Sequence, residues 1–534
     1  MNKEIIAKIT EVDFPNRSTV EIEGKKFKFK GGLLGQEVKL YKKNRRKLIY
    51  KNVEKLSPLE TEENCKYQGV CGGCTYQNFS YEDEIAYKEE MLKKLLREND
   101  IDAEDFYLIK SPKYKEYRNK MEYTFGDEEK DGPLALGLHK KGYFHEVVDM
   151  DKCLIVHPDF DKVRIKTREY FQGTSFYNRK THEGVLRHLS LRRTISGEML
   201  INLVTSSQEE IDTENYVKAM LELDLESEIK GILHTINDRM SDAVVKDELH
   251  ILYGRDYVVE KLMDMEFKIG PFSFFQTNTY SAEVLYTEAE KILKEKGDYL
   301  LDLFCGTGTI TSILGKNRKE ALGVEIVEEA VDSARENVEL NGLKNIKFIP
   351  GDVYEVVKEL ENKYDIIVVD PPRAGIGRKA IEKITEFGVE NILYISCNPV
   401  TFVEDIKTFR ECGYRERSVH GVDQFPRTNH VEVITLLSKL DSKKYISVEL
   451  PMDDMDLTSA ESKATYKQIQ NYVLEKFGFK VSTLYIAQVK KKHGLEVREH
   501  YNISKNEKQK IPQCPIKKEE AILDALKHFK MVYY

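Results

Sequence analysis

No apolar run in this 534-residue chain comes near the roughly 18 residues that a membrane-spanning helix needs, so a helical membrane protein is excluded. The opening residues, Met1-Asn2-Lys3-Glu4-Ile5-Ile6, lack the long apolar core and the cleavage signal of a secretory leader, so a cytoplasmic protein is expected. Cysteine is scarce: eight residues are too few for a disulfide scaffold, and clustered ones in a reducing compartment read as metal ligands or catalysts. Internal repeats and low-complexity linkers are absent. Net positive charge is lacking too, the balance being -8, which argues against a binder of nucleic acid over its whole surface. Its distribution reverses that locally. Residues 1–57 hold 15 Lys or Arg against 7 Asp or Glu, a surplus of 8, so the remainder carries -8 - 8 = -16. Contact with a polyanion is expected to begin at the amino terminus.

A chain of this length exceeds a single hydrophobic core, and a hydrophobic share of 41% with 33% charged residues describes a globular protein. Residues 1–57 read as five short alternating strands, Ile5 to Val12, Ser18 to Ile22, Lys26 to Phe29, Glu37 to Tyr41 and Lys47 to Val53, separated by turn signals. Such a pattern with basic loops predicts a small barrel of the oligonucleotide-binding type, its densest charge at Lys42, Lys43, Arg45, Arg46 and Lys47. Residues 58–265 begin with Cys65, Cys71 and Cys74, with Gly72 and Gly73 letting the backbone wrap closely. Cys153 is the best candidate for a fourth ligand, and four thiolates suit either tetrahedral zinc or an iron-sulfur cluster. A helix over Tyr81 to Leu96 and a β-rich stretch complete this part. From 266 to 440 strands and helices alternate. Residues 441–534 form an extension with two expected helices, Ala460 to Phe477 and Val481 to Lys492.

The chemistry is expected in the third part. Leu393-Tyr394-Ile395-Ser396-Cys397-Asn398-Pro399 is an apolar strand that ends on a thiol and a turn, which in an α/β sheet is where ligands bind. Cys397 is therefore a candidate nucleophile. Near it in the text stand Asp370-Pro371-Pro372-Arg373 after another apolar strand, and Glu432 in His430-Val431-Glu432. The loop Gly306-Thr307-Gly308-Thr309 sits between a strand and a helix but lacks the third glycine of a dinucleotide fingerprint. Glu325, 19 positions beyond Gly306, suits a ribose diol.

Residues 1 to about 440 resemble the RNA uracil-5-methyltransferases, specifically their iron-sulfur branch with an amino-terminal TRAM domain that acts on 23S ribosomal RNA. The matching text is Cys65-x5-Cys71-x2-Cys74 with Cys153, Phe274-Phe275-Gln276-Thr277-Asn278, Asp302 to Gly308, Asp370-Pro371-Pro372-Arg373, Ser396-Cys397-Asn398-Pro399 and His430-Val431-Glu432. The resemblance implies a multidomain α/β protein with a TRAM barrel, a β-rich iron-sulfur central domain and a Rossmann-like class I methyltransferase domain; the tail beyond 440 lies outside it and is expected to be a small C-terminal α/β appendage. The resemblance also implies a four-iron, four-sulfur cluster on Cys65, Cys71, Cys74 and Cys153, and S-adenosylmethionine held by Gln276, Phe304, Glu325 and Asp370. Cys397 would add to carbon 6 of uracil and Glu432 would remove the carbon 5 proton. The region of about 83–114 would pack on the catalytic domain. Where the family often has asparagine after the second glycine, this chain has Thr309. The implied partner is 23S rRNA, with neither DNA nor membrane, and the chain is expected to be a monomer. Transfer RNA is the alternative substrate. A cytosine-5 enzyme would carry cysteine where Arg373 stands, and a noncatalytic RNA-binding protein would not need intact Gln276, Glu325, Asp370, Cys397 and Glu432.

Overall fold

Ile366–Val369 reads Ile-Ile-Val-Val and is buried at every residue, the mark of a parallel strand covered by helices on both faces. In the computed structural model, which describes residues 4–42, 48–61, 65–240, 247–353, 355–356, 360, 363–440, 466–493 and 514–529, it lies inside an eight-stranded sheet. The strand order is Ile346–Pro350, Glu320–Glu325, Tyr299–Leu303, Ile366–Val369, Asn391–Ser396, Glu432–Lys439, Tyr414–Val422 and Leu108–Ile109. The first five run parallel; Glu432–Lys439 is antiparallel to both its neighbours.

Alternate side chains feed opposite cores, as the two-residue period requires. Ile366, Val368, Leu393 and Ile395 face the helices Thr279–Ile292, Thr309–Gly315 and Glu328–Leu340. Ile367, Val369, Ile392 and Tyr394 face Arg378–Glu386 and Pro399–Glu411. Strand order reverses between Tyr299–Leu303 and Ile366–Val369, which opens a crevice at their carboxyl ends. The two-residue strand Leu108–Ile109 closes the far edge, and it is too short to leave a periodic signal in the sequence.

The helix Tyr81–Arg97 packs against this sheet. Ser80 caps it by accepting from the Asp83 amide at 3.1 Å, and Glu82, Asp83 and Glu84 complement its positive end. Its Ile85, Met91, Leu92 and Leu96 share one core with Leu301 and Ile392. The amino-terminal strands Glu4–Asp13, Arg17–Ile22, Lys25–Lys30, Glu37–Lys42 and Leu48–Lys55 form an antiparallel five-stranded sheet. Its two end strands approach each other where the Phe29 ring stacks on Tyr50, centroids 6.0 Å apart. Each strand falls within two residues of its expected bounds. The basic run Lys43, Arg45, Arg46 and Lys47 lies outside the described residues.

Between them stands a seven-stranded sheet built from Glu248–Gly254, Glu228–Ile236, Glu198–Thr205, Leu186–Arg193, Lys120–Gly126, Ala135–Lys140 and Tyr143–Val148, in that order. Helices Pro158–Tyr170 and Thr213–Leu221 cover one face through Phe160, Val163, Tyr216 and Met220. These sheets and the two-stranded pair Val258–Leu262 and Met265–Ile269 belong to one compact unit, Met1–Ser442. A second unit, Lys443–Tyr534, has its own core of Ile469, Val473, Ile486, Val489, Ile522 and Leu526. Its described elements are helices, in place of the expected α/β appendage. Tyr466–Phe477 and Thr483–Lys492 fall where the sequence predicts helices, and Ile516–His528 is a third that its pattern does not announce. Residues 460–465 lie outside the described ones. Among the described residues no helix is long and apolar enough to cross a membrane.

Candidate active site

Register alone brings five of the expected site residues into a row. Leu303 pairs with Val324 on one side and Val369 on the other, so the next residues, Phe304, Glu325 and Asp370, emerge together at the carboxyl edge. Val369 pairs with Tyr394, which places Cys397, just past the end of Asn391–Ser396, on the same edge. Ser396 pairs with Val433, so Cys397 and Glu432 stand at the ends of adjacent strands, close enough for the Glu432 charge to act on the thiol. The order along the edge is Glu325, Phe304, Asp370, Cys397, Glu432, which is the strand order itself.

The turns after these strands are tied together. Asn398 accepts from the Val400 amide at 3.2 Å, capping Pro399–Glu411, and its Nδ2 donates to the Arg373 carbonyl at 2.9 Å. The Ser396-to-Pro399 and Asp370-to-Arg373 motifs are thus one hydrogen-bonded structure.

Electrostatics divides the roles. Glu432 is 3% exposed, and its Oε2 has no hydrogen-bond partner among the described residues. Burial, then the nearby Asp370 charge, holds its carboxyl well above the usual range, while Arg373 pulls it down. Asp370 is half-buried by exposed area, yet protein atoms crowd its carboxyl enough for desolvation to raise it to about 7. Cys397 is half-buried, and burial, then Glu432 and Asp370, push its thiol up to about 11, with Arg373 opposing. The resting site is a neutral thiol beside two carboxyls that disfavour each other's ionisation.

The other end of the edge is built on the glycine turn. Gly308 has φ +75°, and a Cβ there would lie 2.5 Å from the Phe348 ring and 2.8 Å from Ala334, so only glycine fits. Gly306, φ +54°, faces open space. Phe304 holds φ +68°, a strained value for an aromatic residue, with its amide donating to the Val324 carbonyl at 3.0 Å. One oxygen of Glu325 accepts from the Gly306 amide at 3.0 Å, and the other from the Ile326 and Val327 amides at 2.9 and 3.0 Å. Thr309 is buried as the first residue of its helix. Gln276 enters from a different segment, its Oε1 accepting from Gln424 at 3.3 Å and its carbonyl from Asn119 at 2.9 Å.

Cys65, Cys71, Cys74 and Cys153 line a single pocket together with Leu138, Met150 and Ile155. Burial pushes Cys71, Cys74 and Cys153 up, Cys153 to about 12, and the sulfurs raise one another further. Among the described residues no three His, Cys, Asp or Glu side chains are close enough to share one metal ion.

Sequence reasoning missed the loop between the last two strands, residues 423 to 431. Lys88, Glu84, Asp423 and Arg427 form a buried charge cluster there: Lys88 Nζ lies 2.6 Å from Glu84 and 2.7 Å from Asp423, and Arg427 lies 3.3 Å from Glu84. Pairing across more than 330 residues of chain leaves no local signal.

A doubly wound sheet with a glycine turn, a capping carboxylate and a thiol on its carboxyl edge defines a Rossmann-like methyltransferase. Within that class the chain belongs to the tRNA (uracil-5-)-methyltransferase family, which it matches over residues 80–440. An RNA methyltransferase of Caldanaerobacter subterraneus subsp. tengcongensis is 45% identical over 444 residues, 82% of this chain and 98% of that one. One from Clostridium tetani is 42% identical over 449 residues, with the same coverage. Among solved structures, the tRNA (uracil-54, C5)-methyltransferase of Pyrococcus abyssi in complex with S-adenosyl-L-homocysteine superposes with a TM-score of 0.64 at 26% identity, covering 81% of this chain and all of that one.

Proposed function

We propose that the protein methylates carbon 5 of a uridine in 23S rRNA through a transient covalent bond from Cys397. The observation that carries the reading is the placing of Cys397 and Glu432 at adjacent strand ends, with Asp370 beside them. Carbon 5 of uracil is a poor nucleophile. When the Cys397 thiolate bonds to carbon 6, the ring's electrons move to carbon 5, which can then take a methyl group. S-adenosylmethionine supplies that methyl on a positively charged sulfur, and Gln276, Phe304, Glu325 and Asp370 would hold it. Glu432 then takes the carbon 5 proton; the C–H electron pair re-forms the ring double bond and the C–S bond breaks, returning the thiolate. A buried base with a raised pKa suits a proton of low acidity. Arg373 is the cation on the edge that favours the thiolate. The base must leave its stack to reach the edge.

The four-cysteine pocket fits a four-iron, four-sulfur cluster. A single tetrahedral zinc with bonds of about 2.3 Å would draw its sulfurs to within about 4 Å of one another, whereas a cube binds each thiolate at its own corner. Bound there, it would offset part of the charge of four half-buried thiolates and tie the 65–74 loop to the 153 segment. Iron and acid-labile sulfide assays on anaerobically purified protein test this, with Cys74→Ala expected to lose both.

Ribosomal RNA is favoured by the pocket of cysteines together with the basic amino-terminal sheet, the combination that marks the 23S branch. Transfer RNA is the second reading, favoured by the substrate of the Pyrococcus abyssi enzyme. Incubation with labelled donor and separated 23S and transfer RNA, followed by nucleoside mapping, decides between them. The reading expects 5-methyluridine in 23S rRNA; label on cytosine, or in transfer RNA alone, overturns it.

A further inference from the structure

The loop that leads into Glu432 is held by every part of the compact unit it belongs to. Asn429 Nδ2 donates to the Pro15 carbonyl of the amino-terminal sheet at 2.8 Å. Tyr117 donates its hydroxyl to the Pro426 carbonyl at 2.8 Å. Asn278 donates to the Gln424 carbonyl, and Gln424 to the Asn278 carbonyl, each at 3.0 Å, which joins the loop to the Gln276 segment.

Arg427 is the pin at its centre. It is 1% exposed and holds φ +68°, a left-handed conformation that an arginine adopts only under constraint. Its amide donates to Glu84 at 2.6 Å, and its guanidinium donates to the Phe79 and Tyr76 carbonyls at 2.8 and 3.3 Å. Its own carbonyl accepts from the Thr75 and Tyr76 amides at 2.7 and 3.0 Å. Tyr114 and Tyr81 rings lie 4.8 and 5.7 Å from the guanidinium. Both carbonyl bonds leave from Nη1, which also lies 3.3 Å from Glu84, so one nitrogen ties the loop to the helix and to the turn before it. No atom of this set belongs to the thiol, the carboxyls or the glycine turn. All of it fixes the backbone five residues before Glu432, whose Oε2 has no protein partner of its own, among the described residues, to orient it.

We propose that Arg427, braced by Glu84, is a positioning residue that aims Glu432 at the carbon 5 proton. The inference rests on Glu432 being the base. It predicts a particular fault: with the pin removed, Cys397 still adds to the ring and carbon 5 still gains its methyl, but the proton leaves slowly and the C–S bond persists.

The test compares Glu432→Gln, Arg427→Ala, Arg427→Lys and the charge-paired double variant Glu84→Gln/Arg427→Gln, which leaves no lone buried charge at that pair, against wild type on a methylatable RNA. RNA–protein adduct is read on denaturing gels, kcat and KM by labelled methyl transfer, and folding by thermal melting. In Arg427→Ala, or in the double variant should the single one not fold, kcat is expected to fall at least tenfold with KM for RNA within about twofold. Adduct is expected to accumulate as in Glu432→Gln, and Arg427→Lys to recover part of the rate. Turnover within twofold of wild type with only a lowered melting temperature overturns the proposal, as does abolished turnover without adduct while Glu432→Gln traps it. If Glu432→Gln itself traps none, the covalent reading fails first and this inference with it.

Discussion

At the scale of single residues the site is organised by one conflict: a buried carboxyl, a half-buried carboxyl and a half-buried thiol share one edge with the exposed Arg373. Glu432's value in the folded protein lies above its ordinary 4.5, so the folded state holds that proton more tightly. Its contribution to stability is therefore full below about 4.5 and is lost as pH rises through the higher folded value. Glu432→Gln should then be more stable than wild type above pH 5, because the amide has no charge to bury, with the gap in melting temperature widening from pH 5 to 8. An unchanged gap across that range would contradict this electrostatic picture. The same charges hold Cys397 as a neutral thiol. Its alkylation by iodoacetamide, followed on the isolated peptide by mass spectrometry, should keep rising with pH up to about 11 and be faster at neutral pH in Glu432→Gln. A plateau near pH 7 would mean that the free enzyme already carries the thiolate.

At the scale of elements, the glycine turn separates two demands that the sequence writes with the same letter. Gly308 is needed because Phe348 and Ala334 fill the space where a Cβ would stand; a Cβ at Gly306 would meet open space. Gly308→Ala should cost roughly 1–3 kcal/mol in stability through overpacking alone, measured by urea unfolding. Gly306→Ala should leave stability within about 1–2 kcal/mol, the cost of the left-handed conformation, and instead weaken S-adenosylhomocysteine binding measured by calorimetry. Equal destabilisation by both would remove the distinction. Strand-turn-helix order was legible here because the apolar runs are short, buried on both faces and punctuated by glycine. The loop of residues 423 to 431 was not legible, since its partners Glu84 and Lys88 look like ordinary surface charges of an amphipathic helix.

At the scale of the whole molecule, charge is divided as the sequence divides it, with the positive surplus in the first 57 residues. Lys25 and Lys30 are exposed on the amino-terminal sheet. Replacing both with serine should weaken RNA binding and flatten its dependence on salt by about 0.7 in log–log slope for each phosphate of single-stranded RNA that the protein ceases to neutralise, with kcat unchanged at saturating RNA. A fall in kcat without a change of slope would place those lysines outside the RNA path. The same scale explains why the amino-terminal and catalytic sheets share one compact unit: the amino-terminal sheet, the helix Tyr81–Arg97 and one face of the catalytic sheet bury their apolar sides in a single core.

The sequence by itself determined what recurs at short range: strand and helix periods, the glycine turn, the four cysteines, and the thiol and carboxylates at strand ends. These follow from local sterics and hydrophobic alternation, which act over a few residues and are written in order along the chain. Only the tertiary structure decided that Glu84 and Lys88 lie against Asp423 and Arg427, that Leu108–Ile109 edges the catalytic sheet, and that Cys397 and Glu432 stand at adjacent strand ends. Burial of a charge is worthwhile only where an opposite charge is brought to it, and that meeting is made by the packing of distant segments, not by neighbours in the text.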